Sequence, residues 1–399
     1  MNKIIFANID LLASTIGDIN LSVEQDDFLK RVERHCKSGK NTIVFESMHP
    51  DKLNKAKEVF DKYTYPYFHF MTRNEVKNFV NNNKHSNNMF VFVSGKEQDF
   101  HIAVHSKSLF IVPTWIPTDD KTRYYGIHVD TPKQLFKFVK TLNNQEHWFS
   151  RLEIEDNITV LSLMDARYGY HAKNEEEREM LKHFQGLLKD GLYRNYYEIL
   201  LYHFIAGMTN TTFFDDIELF GMIPSSDCTL NYDIHNFMTQ VRYIKGKRLP
   251  KNNMAYDNLL IRYRPKNKAH QSYSMSERIN LGGNDEFSTL VINPEFKTKI
   301  KKLRENNKFN VMIFDDYMTH GNTFNAVRNL LKAEGVNKII FISLGSFDKP
   351  FQKNDYHILG DVYHPGYIAN LFDSKVLYNT EYELEAKDEV AELYDIFNN

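Results

Sequence analysis

Along residues 1 to 147, short apolar runs alternate with segments whose apolar residues recur at helical spacing. This alternation leaves the chain few folds to choose from. Ile4-Ile5-Phe6, Thr42-Ile43-Val44-Phe45, Phe68-His69-Phe70, Met89 to Val93, Leu109 to Val112 and Tyr125 to Val129 read as strands. Val23 to Cys36, Asp51 to Tyr63, Arg73 to Asn81, Gln98 to His105 and Pro132 to Leu142 read as helices. Strand and helix in strict turn predict a parallel sheet covered by helices on both faces.

The pattern then changes. Arg151 to Ile154 and Ile158 to Leu161 flank Glu155-Asp156-Asn157, which predicts a hairpin. Asn174 to Lys189 and Tyr196 to Met208 predict two helices that brace the halves. From about residue 213 the alternation returns, with strands at Ile217 to Ile223, Leu259 to Tyr263, Ser288 to Ile292, Val311 to Phe314 and Lys338 to Leu344. Helices fall at Ile234 to Lys245, Lys297 to Asn306 and Thr323 to Glu334, the last stopped by Gly335. The expected fold class is α/β: two Rossmann-like domains with mainly parallel sheets, joined by a hairpin and helical connector. The expected boundaries are 1–147, 148–210 and 211–399.

A length of 399 residues suits two domains, and 42% hydrophobic residues suffice for sizeable cores. The net charge of −2 gives no global basic field for nucleic acid. Cys36 and Cys228 stand far apart and outside any metal-like spacing, which predicts a reducing compartment. No apolar stretch is long enough to span a bilayer, and the start does not read as a signal peptide. The expectation is a cytoplasmic protein with no membrane partner.

The run that carries chemistry is Val311 to Phe324. A strand ends at Asp315-Asp316, Thr319-His320-Gly321-Asn322-Thr323 follows, and a helix begins. A strand end, a tight turn and a helix start gather free backbone N–H groups around one point, where the helix dipole favours a phosphate. Gly321 permits close backbone approach, and Thr319 and Thr323 supply hydroxyls. The two acids suit the vicinal hydroxyls of an attached sugar. Asp215-Asp216, also a double acid after aromatics, has no such loop behind it and reads as a turn.

This run resembles the phosphoribosyl pyrophosphate motif of type I phosphoribosyltransferases. The resemblance implies that Asp315 and Asp316 bind the ribose hydroxyls and carry the catalytic and Mg²⁺ roles. It implies that Thr319, His320, Gly321, Asn322 and Thr323 hold the 5′-phosphate. His320 departs from the family pattern, which has a small hydroxyl residue there. Pro224-Ser225-Ser226, after a predicted strand, resembles the family's pyrophosphate loop. The basic stretch from Arg262 through Arg264, Lys266, Lys268 and His270 to Arg278 resembles the mobile loop that closes over pyrophosphate, with Gly282-Gly283 as a hinge. Its part Ser276 to Leu281 is similar to competence-type members, which gives Arg278 a catalytic role and Lys268 a ligand-binding one. Asp355 to Tyr367 occupies the place of the hood that selects the base. The implied partners are phosphoribosyl pyrophosphate or a nucleotide and a nucleobase-like acceptor.

The first half resembles the haloacid dehalogenase-like fold with its chemistry worn away. The nucleophile position reads Asn8, followed by Asp10. Ser47 matches the second motif, and Ser94-Gly95-Lys96-Glu97-Gln98-Asp99 the last, with Gly95 where an acid is required. An amide cannot attack phosphorus and a glycine cannot hold Mg²⁺. The expectation is an inactive domain used for docking a protein partner, a second copy or a ligand. His101 and His105 stand four apart on a predicted helix, a spacing found in metal sites and more often in surface pairs. Three functions stay open: phosphoribosyl transfer, a non-catalytic nucleotide-responsive regulator, and an effector of a bacterial stress or phage-defence cassette.

Overall fold

The structure is a computed structural model. It describes residues 3–12, 22–37, 41–62, 68–83, 89–141, 145, 147–167, 172, 174–193, 195–247, 258–266 and 284–398.

The first sheet contains β1 (Lys3–Asn8), β2 (Asn41–Ser47), β3 (His69–Thr72), β4 (Met89–Val93), β5 (Leu109–Pro113) and β6 (Ile127–Val129). Their order is β3-β2-β1-β4-β5-β6, and every pairing is parallel. The connecting helices are α1 (Val23–Lys37), α2 (Pro50–Lys62), α3 (Arg73–Asn82), α4 (Glu97–Ser106) and α5 (Pro132–Thr141). Thr72 starts α3 with a capping box: its hydroxyl accepts from Glu75 N–H, and the Glu75 carboxylate accepts from Thr72 N–H. The β4 strand is buried on both faces, as a central parallel strand must be.

The predicted hairpin is present as β7 (Ser150–Glu155) and β8 (Ile158–Asp165), and it does more than connect. It enters the second sheet. That sheet also holds β9 (Leu219–Met222), β12 (Asn310–Met318), β13 (Lys338–Ser346) and β16 (Glu381–Tyr382), in the order β16-β7-β8-β13-β12-β9. The strands β8, β13, β12 and β9 run parallel; at one edge β7 pairs antiparallel with β8, and β16 antiparallel with β7. Every residue of β8 is buried, so it could not have stood as a one-faced linker. Two antiparallel ribbons complete the half: β10 (Leu260–Arg262) with β11 (Leu290–Ile292), and β14 (Phe351–Leu359) with β15 (Ile368–Leu377).

The helices of this half are α6 (Glu175–Asp190), α7 (Asn195–Thr209), α8 (Tyr232–Ile244), α9 (Asn284–Phe287), α10 (Lys297–Glu305), α11 (Asn322–Ala333) and α12 (Glu385–Asn398). From Ile199 to Met208 α7 is buried on all sides, which places it between layers rather than on a surface. One apolar cluster runs from Ile5 and Val91 through Leu200 and Phe204 to Phe314 and Ile342. The chain end returns to this cluster: Phe397 of α12 packs its ring 5.8 Å from Phe138 of α5 and 4.9 Å from Tyr202 of α7. Among the described residues no helix is long and apolar enough to cross a membrane.

Candidate functional site

Three segments meet where β9 and β12 end. They are the turn after β9, the turn after β12, and the ribbon β10–β11 with α9. Ile223 N–H donates to Phe314 O at 2.8 Å, which fixes the Pro224-Ser225-Ser226 turn beside β12. The Asn258 side chain ties β9 to the ribbon: it accepts from Met222 N–H and donates to Met222 O, both at 2.8 Å. Arg262 donates to Pro224 O at 3.3 Å, and Lys266 N–H to Ser226 O at 2.7 Å. The expected pyrophosphate turn and the start of the expected basic loop are therefore joined. Lys268, His270, Arg278 and Gly282-Gly283 lie outside the described residues.

Asp315 and Asp316 sit within β12 rather than at its end, because pairing with β13 continues to Met318↔Ser346. Asp315 Oδ1 accepts from Asp316 N–H at 2.9 Å, and Asp316 Oδ1 from Tyr317 N–H at 2.7 Å. Burial, then the neighbouring Asp316 charge, pushes the Asp315 carboxyl well above the usual carboxylate range. Burial raises Asp316 too. Two half-buried acids that repel one another are a donor set that gains from a divalent cation or from sugar hydroxyls. They fit the protein's share of an Mg²⁺ site whose other ligands come from a phosphate compound. No group of three or more metal-ligating side chains occurs among the described residues.

Gly321 stands at the N-cap of α11 with φ +73°, and no side chain caps the helix. The first-turn N–H groups of Asn322, Thr323 and Phe324 therefore face the turn without an intrahelical acceptor. The Asn322 side-chain oxygen is buried with no hydrogen-bond partner among the described residues. Thr319 is exposed; His320 is half-buried, with Nδ1 3.3 Å from Pro350 O. Thr323 is committed differently from the expectation: its hydroxyl donates to Glu286 Oε1 at 2.7 Å.

Glu286 is the residue that sequence reasoning missed. It is buried, and it also accepts from Lys266 Nζ at 2.5 Å and Arg262 Nη2 at 3.0 Å. Burial would raise its pKa, but Lys266 and Arg262 outweigh that and hold it below the usual range. One carboxylate thus links the α11 turn, the ribbon and, through Ser226, the turn after β9. The run Asn284-Asp285-Glu286 carries no periodicity or motif that would have marked it.

The ring of Phe351 lies directly under Gly321. A Cβ at this position would come within 2.0 Å of it. The positive φ and the contact both exclude a side chain. Gly321→Ala is therefore expected to lower stability by about 2–3 kcal/mol. Urea unfolding checks this; an unchanged midpoint would mean that the ring yields at no cost.

Within residues 1–147, Asn8, Ser94 and Asp99, three of the residues expected from the resemblance, converge with Glu46 at the ends of β1, β2 and β4. Asn8 Nδ2 donates to Glu46 Oε1 at 2.6 Å and to Asp99 Oδ2 at 2.9 Å. Ser94 donates to the same Asp99 oxygen at 2.5 Å. Arg73 Nε lies 2.5 Å from Asp99 and 3.4 Å from Glu46. Burial, then the Asp99 charge, holds Glu46 well above the usual range. Asp10 pairs with Lys52 at 3.2 Å and Lys96 at 3.6 Å. Asp99 and Asp10 already face the cations Arg73, Lys52 and Lys96, and burial disfavours a charged Glu46, so the group is a poor fit for Mg²⁺. Ser47 accepts from His49 N–H at 3.1 Å. A Cβ at Gly95 would meet Pro117 O at 2.4 Å, so an acid does not fit there without a backbone shift. His101 faces Glu97 at 3.4 Å and Lys121 at 3.2 Å.

Comparisons with family models, with curated proteins and with solved structures return no match.

Proposed function

We propose that the second domain binds phosphoribosyl pyrophosphate or a nucleoside 5′-phosphate at Asp315 to Thr323, and that it transfers phosphoribose to or from a nucleobase-like acceptor. The observation that carries this reading is the joining of an acid pair, an uncapped helix start at Gly321 and the Pro224-Ser225-Ser226 turn at one sheet end. In the transfer, a nitrogen lone pair forms a bond to the anomeric carbon. The bond from that carbon to the pyrophosphate oxygen breaks, and pyrophosphate leaves with the electron pair. Asp315 and Asp316 would hold the ribose hydroxyls. A bound Mg²⁺ would stabilise charge on the leaving group. The first-turn N–H groups of α11 would hold the 5′-phosphate.

The test is calorimetry with phosphoribosyl pyrophosphate and Mg²⁺, followed by pyrophosphate release with a panel of bases. Binding with release supports transfer. Binding without release supports the regulator, a reading favoured by the engagement of Thr323 with Glu286. No binding of either ligand sinks both.

The first domain is read as an inactive relative of phosphatases. Purified protein is expected to show no Mg²⁺-dependent hydrolysis of phosphate esters. Hydrolysis that disappears in Asp10→Ala would overturn this.

A further inference from the structure

The β14–β15 ribbon presents its two edges very differently. The outer edge of β14 is covered by α11. Asn325 and Asn329 accept from the N–H groups of Asn354 and Tyr356, at 3.2 and 3.0 Å, and both donate to Asn354 O at 2.9 Å. Among the described residues β15 has no strand on its other side. It is a 10-residue strand, about 33 Å long at roughly 3.3 Å per residue. Ile368 and every residue from Asn370 to Val376 are exposed, including Leu371 at 53% and Phe372 at 57%. A long exposed edge of this kind, with Ile368, Leu371, Phe372 and Val376 exposed on it and one bulge at Phe372, is a template for another strand.

The charges on β15 indicate which strand. Within the ribbon, Asp373 lies opposite Asp355 and Lys375 opposite Lys353. Like charges directly opposite are unfavourable. Lys353 and Asp355 answer each other at 2.6 Å, and Arg328 and Glu155 add further partners. Neither Asp373 nor Lys375 makes an ion pair among the described residues. Two charges of one sign would simply block edge pairing. One of each sign, flanking Ser374, does something else. An antiparallel copy centred on Ser374 sets Asp373 against Lys375 and Lys375 against Asp373, with Phe372 against Val376 on both sides. The charges of the segment are complementary to themselves under a twofold axis and mismatched with those opposite in the ribbon, while Ser374 bonds Asn354 and Gln352 and Phe372 stacks on His357.

We infer that the occupant of this edge is a second copy of the chain, paired antiparallel through β15 about Ser374 to give a continuous four-stranded ribbon. The interface is isologous, so each contact occurs twice. It does not depend on the ligand reading of the β12 site.

Sedimentation over a concentration series tests it. The parent is expected to dimerise. Asp373→Lys and Lys375→Asp each place like charges opposite at two symmetric points, and each is expected to weaken the dimer roughly tenfold or more. The double variant Asp373→Lys/Lys375→Asp restores opposite pairs and is expected to regain the parent affinity. Cross-linking gives an independent readout. Directly opposed residues lie about 4.5–5.5 Å apart at Cα, within disulfide reach. Ser374→Cys in a Cys228→Ser background is expected to form a disulfide-linked dimer under mild oxidation. A monomer at all concentrations, or single variants that dimerise like the parent, would overturn the proposal. So would a double variant no better than either single one, or failure of Ser374→Cys to cross-link.

Discussion

Asp315→Asn/Asp316→Asn is expected to bind phosphoribosyl pyrophosphate or a nucleoside monophosphate at least about 100-fold more weakly than the parent. Each lost hydrogen bond from a sugar hydroxyl to a charged acceptor removes about 1.5–3 kcal/mol, and two acceptors are altered. The same change is expected to make the ligand-free protein more stable at pH 7, and the sign follows from the raised pKa values. A carboxyl whose folded-state pKa lies above its unfolded value of 3.8 binds its proton more tightly when folded. Its contribution is complete at low pH and is lost as pH rises through the folded pKa. At neutral pH the pair therefore opposes folding, through burial and through mutual repulsion. Asparagine at both positions removes that opposition. Calorimetry and thermal melts in parallel check both halves. Weaker binding with a higher melting temperature is the pattern of a site held ready for a ligand at the expense of stability. Equal binding would place the ligand elsewhere. A lower melting temperature would mean that the acids support the fold itself.

The alternation along the first 147 residues was enough to read an all-parallel sheet, because each strand and each helix carries its own period. The turn into α11 was legible for the same reason: Gly321 and the helix face at Phe324 and Val327 are all local, whereas the engagement of Thr323 with Glu286 was not. What stayed hidden was set by partners distant in sequence. Acids and Tyr317 do not look like the middle of a strand, yet β12 runs through them because β13 pairs with it from Asn310 to Asp315 and again at Tyr317 and Met318. The Ile158 to Leu161 run looks like half of a hairpin. Only its pairing with β13, from Ile158↔Ile339 onward, makes it a central strand. Glu286 acquires meaning from Thr323, Lys266 and Arg262, none of which its own neighbours announce. Asn325, Arg328 and Asn329 would be assigned to a solvated helix face, but all three are buried.

That buried polar face yields the other large expected effect. The Arg328 side chain has no exposure. Its guanidinium donates to Asn354 O at 2.9 Å, to Asp355 at 2.5 Å, to Asn325 Oδ1 at 3.1 Å, and to Glu155. It therefore ties the β7–β8 turn, α11 and β14 together at one point. Arg328→Ala leaves Asp355, and part of Glu155, without the cation that met them in a poorly solvated place. Breaking a buried pair in this way costs about 3–5 kcal/mol. Lys353 still reaches Asp355 at 2.6 Å, which favours the lower end of that range. Burial would raise the Asp355 pKa, but Lys353 and Arg328 hold it below the usual value. Its contribution is thus present above the unfolded pKa and lost as pH falls through the folded one. Part of that acid-side loss should disappear in Arg328→Ala, so the gap between parent and variant narrows toward low pH. Urea unfolding at neutral and acidic pH measures both quantities. The effect should also reach the ligand. Phe351, which lies under Gly321, begins the same strand that Arg328, Asn325 and Asn329 hold against α11. A loosened β14 removes the floor of the Gly321 turn, so affinity for the proposed ligand should fall in Arg328→Ala under conditions where the variant remains folded. Full affinity in a folded Arg328→Ala would show that the turn keeps its shape without this strand, and the link between Arg328 and the site would be withdrawn.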